Sequence, residues 1–248
     1  LRIYNKPITA VMITSDKVYR NNEWSWGYRE IDELGDNDPY SASKAMAELA
    51  IRAYTSSFFK HSNNSKININ TARAGNVIGG GDWSVDRLVP DCVEAWARKK
   101  SVEIRAPAST RPWQHVLEPL SGYLTLGMHM ARDGLSGEAF NFGPREDSNY
   151  SVELLIAEMQ KYWASVLWSH KPPKDQLKKE ATLLKLNCDK ALHILDWNPT
   201  FSFNDTVKLT ALWYKSYYEG TSNIFNLTND QIDQFTATAL AKNISWTN

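Results

Sequence analysis

Tyr40 and Lys44 stand four residues apart directly after Asp38-Pro39, and Ser15-Asp16-Lys17 closes a short apolar run upstream of them. On a helix, positions i and i+4 share a face, so the Lys44 ammonium comes close to the Tyr40 phenol and stabilises its phenolate. Such a phenol can take the proton of an alcohol while hydride leaves the same carbon. With 11 tyrosines in the chain, a lysine four residues on arises easily by chance, and the pair alone fits a solvated helix face. Ser15-Asp16-Lys17 shifts that balance, because ligands of open α/β sheets bind beyond the carboxyl ends of the strands. A Ser15 hydroxyl there can bond the oxygen on which Tyr40 works, and an adjacent carboxyl and amine offer an acid and a base for an elimination.

These groups need elements to hold them. Ile8 to Thr14 is a short apolar, partly β-branched run, expected as a central strand buried on both faces of a parallel sheet. Residues 19–38 are too polar and irregular for one element and read as a long functional loop. Asp38 as N-cap and Pro39 in the first turn open a helix to about Phe59, and Ile67 to Ala74 is a second strand, parallel to the first because a crossover helix separates them.

Beyond Gly79-Gly80-Gly81 the chain changes character. Helices are expected from Arg87 to Lys100, Pro119 to Arg132, Val152 to Trp163 and Cys188 to Leu195, with strands at Val102 to Arg105, Val116-Leu117, Ala139 to Phe142 and Leu183 to Leu186. Ser202 and Asp205 form a capping-box pattern for a helix reaching about Tyr218, and residues 220–248 read as a polar tail with one helix near Gln231. The expectation is an α/β protein: the C-terminal part of a Rossmann-like doubly wound parallel sheet with a smaller α/β substrate-binding lobe. Its divisions would be 1–78, 79–220 and 221–248.

Composition narrows the partners. Lys plus Arg and Asp plus Glu are 28 each, so no broad field attracts nucleic acid or an anionic membrane. Cys92 and Cys188 are the only cysteines, far apart and in no metal-ligand spacing. His61, His115, His129, His170 and His193 likewise show no ligand spacing and read as satisfied structural histidines. No apolar stretch reaches the roughly 18 residues of a membrane span, and no signal peptide is visible, which points to the cytoplasm. The Asn-X-Ser/Thr triplets at Asn63, Asn204, Asn226 and Asn243 therefore carry no functional weight.

Taken together, Ser15, Tyr40-X-X-X-Lys44 and the strand end resemble the extended short-chain dehydrogenases/reductases. Thr14 to Tyr19, Glu23 to Glu30, Asp38 to Lys44, Arg73 to Trp83 and Arg111 to Val116 resemble, within them, the CDP-glucose 4,6-dehydratases, a likeness that runs to about Tyr218. The resemblance implies NAD as cofactor, CDP-glucose as substrate, and a three-stage reaction: oxidation at C4, loss of the C5 proton with the C6 hydroxyl, and return of hydride to C6. It assigns catalysis to Ser15, Asp16, Lys17, Tyr40 and Lys44, with Tyr40 and Lys44 also touching the cofactor. Asp16 would be the acid and Lys17 the base, where the related dTDP-glucose dehydratases carry Glu.

By family position Asn76 and Arg111 should meet the diphosphate, Arg87 and Arg105 should flank the nucleotide, and Asn141 is a further substrate contact. Trp24, Trp26 and Trp83 are as readily core or loop anchors as sugar platforms. The resemblance also implies a homodimer packed through the Tyr40 helix. A 4-epimerase, a dTDP-type dehydratase or a non-catalytic family member are the competing readings. Gly79-Gly80-Gly81 follows the second strand and does not replace the glycine-rich βα turn of an NAD site, so about 100 residues, in βα units of about 30, are expected before Leu1.

Overall fold

A computed structural model describes residues 1, 3, 6–59, 67–145, 148–163, 166–171 and 183–247. The chain runs β1 (Ile8–Ile13), α1 (Pro39–Phe58), β2 (Ile67–Ala74), β3 (Val77–Ile78), α2 (Leu88–Ala97), β4 (Val102–Ile104), β5 (Thr110–Arg111) and β6 (Gln114–His115). Then follow α3 (Leu117–Asp133), β7 (Ala139–Phe142), β8 (Tyr150–Ser151), α4 (Val152–Gln160), β9 (Trp168–His170), α5 (Asp189–Leu195), α6 (Phe203–Glu219) and α7 (Ile224–Ala241).

β1, β2 and β7 form one parallel sheet in that order, with Ile8 opposite Ile67 and Ala74 opposite Phe142. The crossover helix α1 starts where Asp38 accepts the Tyr40 and Ser41 amides, both at 3.0 Å, with Pro39 in the first turn, where its missing N–H leaves no helical bond unmade. Beneath the sheet, Leu126 and Met130 of α3 pack on Ala72, Phe140, Phe142 and Trp197, all essentially buried. Leu126, Met130, Phe140 and Phe142 each stabilise the fold by about 1.5–3 kcal/mol.

A second core forms the other lobe, where Val93 and Trp96 of α2, Leu155 and Met159 of α4, and Val207, Ala211 and Tyr214 of α6 meet. α6 carries the expected capping box, Ser202 and Asp205 each bonding the other's backbone amide. The sheet and helices agree with the α/β expectation. β7 returns to the β1–β2 sheet after the second lobe's first elements, as the Rossmann reading requires.

Several elements differ from expectation. Among the described residues β1 lies at the edge of the sheet and not at its centre, with Met12 and Ile13 38% and 59% exposed. Val116 and Leu117 are not a strand. The short strand lies at Gln114–His115, paired in parallel with β3, and Val116 caps α3, whose Pro119 is tolerated because first-turn amides have no helical partner anyway. Leu183 to Leu186 makes only one bridge, Leu186 to Tyr28, while Trp168–His170, unmarked in the sequence, pairs with β4.

The helix expected near Gln231 is present as the 18-residue α7, which takes up most of the stretch read as a polar tail. Asn223 caps it, Phe235 and Ala239 are buried, and Gln231 Nε2 donates to the Leu209 carbonyl at 2.9 Å. His61 and Asn63 lie outside the described residues.

Candidate active site

β1 ends at Ile13, and the chain turns at once into a single 3-10 turn, Asp16–Val18, capped by Ser15. α1 packs against that turn, which brings the two motifs of the sequence together. A cleft of about 990 Å³ opens there, lined by Ser15, Asp16, Lys17 and Tyr40 and further along by Asn76, Arg87, Arg105 and Arg111. Eight of the expected residues thus share one wall or another of a single cavity. Lys44 sits behind Tyr40, its Nζ 5.7 Å from the ring centroid, as the i, i+4 geometry requires. Tyr40 is 52% exposed.

Asp16 is only 3% exposed. Burial pushes its carboxyl pKa up, and this outweighs the opposing pull of Lys17, the Ser15 hydroxyl and Arg111. The shift is in the direction that suits an acid. Ser15 Oγ donates to Asp16 Oδ1 at 3.0 Å and accepts the Lys17 amide at 3.2 Å, so its proton serves the neighbouring carboxyl, not an oxygen shared with Tyr40. Asn76 Nδ2 donates to the other oxygen, Oδ2, at 3.2 Å.

Room for this carboxyl is made by Gly75, where an added Cβ would lie 1.9 Å from Asp16 Oδ2. Arg111 reaches the cleft from β5, with Nη1 donating to the Thr110 carbonyl at 2.7 Å. Arg87 precedes α2 and Arg105 follows β4, both exposed at the cleft's other walls.

Asn141 does not reach the cleft. It is wholly buried, its Nδ2 donating to the Tyr28 and Asn187 carbonyls at 2.8 and 3.0 Å and its Oδ1 accepting the Tyr19 hydroxyl at 2.7 Å. An asparagine before Phe-Gly-Pro is here a structural clamp. Nor is His115 the satisfied histidine expected: its Nδ1 accepts the Leu117 amide at 3.4 Å, but the buried Nε2 has no partner, and burial lowers the ring's pKa to about 4. Trp24 packs on Tyr28, whereas Trp26 is 73% exposed and Trp83 joins Trp213 and Tyr217 outside the cleft lining. Close packing explains the glycine run too, since a Cβ at Gly80 would meet Trp213 at 2.0 Å.

Sequence reasoning missed the polar scaffold under the site. Glu48 of α1 accepts Thr14 Oγ1 at 2.6 Å and pairs through both oxygens with Arg73 of β2. Arg73 Nη1 in turn donates to the Tyr19 hydroxyl at 2.6 Å. One buried chain of bonds thus ties the end of β1, α1, β2 and, through Asn141, β7. A glutamate amid Met46, Leu49 and Ile51 was the available signal. Among the described residues, no cluster of His, Cys, Asp or Glu is placed to hold a metal ion, and no helix is long and apolar enough to cross a membrane.

Comparison with known proteins agrees with this geometry. The chain is 41% identical to the CDP-glucose 4,6-dehydratase of Salmonella typhimurium, over 92% of its own length and 64% of the relative's, so it spans about two-thirds of that protein. Among solved structures, the dTDP-glucose 4,6-dehydratase of Bacillus anthracis in complex with NAD superposes with a TM-score of 0.68 at 20% identity, covering 83% of this chain and 61% of that one. UDP-glucose-4-epimerase of Stenotrophomonas maltophila with bound NAD does so at 0.72 and 18%, covering 85% and 64%. These two likenesses are of fold. The sequence pattern of the NAD dependent epimerase/dehydratase family matches residues 2–143, more than half of the chain, and the chain belongs to that family.

Proposed function

We propose that the chain is part of an NAD-dependent CDP-glucose 4,6-dehydratase, a hydro-lyase that converts CDP-glucose to CDP-4-dehydro-6-deoxyglucose and water. The observation that carries this reading is a buried carboxyl, held toward its protonated form, opening onto the cleft that also holds Lys17 and Tyr40. The nucleotide rests on the 41% identity to a CDP-glucose enzyme. The donor set fits NAD at its reactive end, where the half-exposed Tyr40, backed by Lys44, stands beyond the carboxyl end of β1. NAD, when bound, takes hydride from C4 and returns it at C6.

The chain's own residues handle the protons. Tyr40 takes the C4 hydroxyl proton. The resulting ketone makes the C5 hydrogen acidic; Lys17 removes it, while Asp16 gives its proton to the C6 hydroxyl, which leaves as water. Lys17 then returns a proton to C5. Arg111, which lines the cleft and acts on Asp16 through space, is the guanidinium suited to the diphosphate, and Arg87 and Arg105 line the same cleft. Exposed Met46, Leu49, Tyr54 and Phe58 along α1 support a homodimer through that helix.

Product analysis tests the reading. The full-length protein, given NAD⁺ and CDP-, UDP- or dTDP-glucose in turn, is expected to form a 4-keto-6-deoxy product from the CDP sugar. A C4-inverted hexose with its C6 hydroxyl intact would assign it to the epimerases, and faster turnover of dTDP-glucose would overturn the nucleotide.

A further inference from the structure

The cleft has two unlike walls. Ser15, Asp16, Lys17 and Tyr40 come from the sheet side, whereas Leu88 to Asp91 of α2 and Val102 to Ala106 around β4 come from the second lobe, where α2 packs against β4. The acidic side chains of that second wall differ in what they already hold. Glu103 is tied to Lys171 at 2.5 Å, Asp82 Oδ1 accepts the Ser84 amide at 2.9 Å, and Asp86 is exposed. Asp91, in the first turn of α2, is half-buried, and its carboxyl makes no hydrogen bond or ion pair among the described residues. Burial and the neighbouring charges of Asp86 and Glu94 push its pKa up, against the pull of Arg105. The helix dipole accounts for an acid in a first turn, but not for one left half-buried and unpaired in the lining of a cleft.

We infer that Asp91 selects cytosine over uracil and thymine, its carboxylate accepting a hydrogen bond from the N4 amino group of the substrate's base. The pyrimidines differ at that position in the sense of their hydrogen bond, since the cytosine amino group donates where O4 of uracil or thymine accepts. A carboxylate, which only accepts, tells the two apart. Asp91 is short of donors in the structure, and the amino group supplies one. O4 in its place sets a second acceptor against the carboxylate and leaves both unpaired. Arg87 and Arg105 share the wall but carry donors only, so neither can accept from N4. The Glu103 carboxylate is already matched by Lys171.

The inference rests on the dehydratase reading and deepens it by naming the group behind the nucleotide preference; its test separates the two. Asp91→Ala removes the acceptor, and Asp91→Asn keeps the size of the side chain while adding a donor that suits O4. In the full-length enzyme loaded with NAD⁺, calorimetry reads the binding of CDP and of UDP without any turnover, and kcat/KM for CDP-glucose and UDP-glucose reads the same choice in the reaction. The parent should prefer the cytosine compound in both. Asp91→Ala should cut that preference by roughly 10- to 100-fold through weaker CDP binding, with the loss in turnover falling on KM because the base is remote from the reacting carbons. Asp91→Asn should do the same and also tighten UDP. A merely structural acid at the start of α2 would instead lower the urea midpoint and weaken both nucleotides alike. A CDP-to-UDP ratio equal to the parent's in both variants would overturn the inference and leave the dehydratase reading standing. A parent that turns over the UDP or dTDP sugar faster would overturn the nucleotide reading and the inference together. Should the enzyme invert C4 of CDP-glucose instead of dehydrating it, the reaction reading falls, while the CDP-to-UDP binding ratio still decides the role of Asp91.

Discussion

Two buried carboxyls, Asp16 and Glu48, lie near the end of β1 and have opposite surroundings. Glu48 meets the Arg73 guanidinium through both oxygens and takes a third bond from Thr14. Asp16 has no guanidinium bonded to it; neutral donors, Ser15 and Asn76, hold its oxygens, and Lys17 and Arg111 act on it only through space. Although burial works against the Arg73 charge, its bonds to Glu48 and Tyr19 raise its pKa, so that cluster stays an ion pair. At Asp16 burial dominates and pushes the carboxyl pKa up. A matched carboxylate becomes scaffold; an unmatched one facing a cleft becomes an acid.

Breaking the first cluster should cost most. Glu48→Ala strands the Arg73 guanidinium in the core and is expected to destabilise by about 3–5 kcal/mol in urea unfolding. A loss under about 1 kcal/mol would mean that the pair does not hold the sheet to α1. Breaking the second should spare the fold and remove the chemistry. Gly75→Ala drives a methyl into Asp16 and should lower dehydration by about 10²- to 10⁴-fold, the range for losing a general acid.

A third buried carboxyl sharpens the contrast. Glu118 accepts the Thr200 and Phe201 amides at 2.9 and 2.6 Å, yet burial lifts its pKa to about 7. The native state then holds a proton that the unfolded chain releases near 4.5, so stability should fall as pH rises from about 4.5 to 7 and level off above, by on the order of 2–3 kcal/mol. Glu118→Gln should flatten that slope in unfolding curves measured across the window. The smallest effect belongs to Asp38, whose carboxyl its Ser41 bonds hold below the usual range. Asp38→Ala should cost about 1 kcal/mol at neutral pH, a difference that fades as acid protonates the parent's cap.

How much of this was legible follows from the range of each interaction. The α1 start, the parallel β1–β2 pair and the capping box are local patterns or follow from them, and they stand as expected. Ser15, Asp16, Lys17 and Tyr40 line one cleft, as their residue types and spacing suggested. Asn141 was misassigned and Glu48, Arg73 and Gly75 went unread because their partners lie far along the chain, so that only packing reveals which polar group is spent on which.

The account depends most on Asp16 as the proton donor for the departing C6 hydroxyl. Asp16→Asn in the full-length enzyme, with CDP-glucose and NAD⁺, keeps the shape of the side chain and removes the acid; mass spectrometry of the sugar nucleotide reads the outcome. Oxidation at C4 with the C6 hydroxyl retained is the predicted result. Formation of the 4-keto-6-deoxy product at the parent's rate would contradict it.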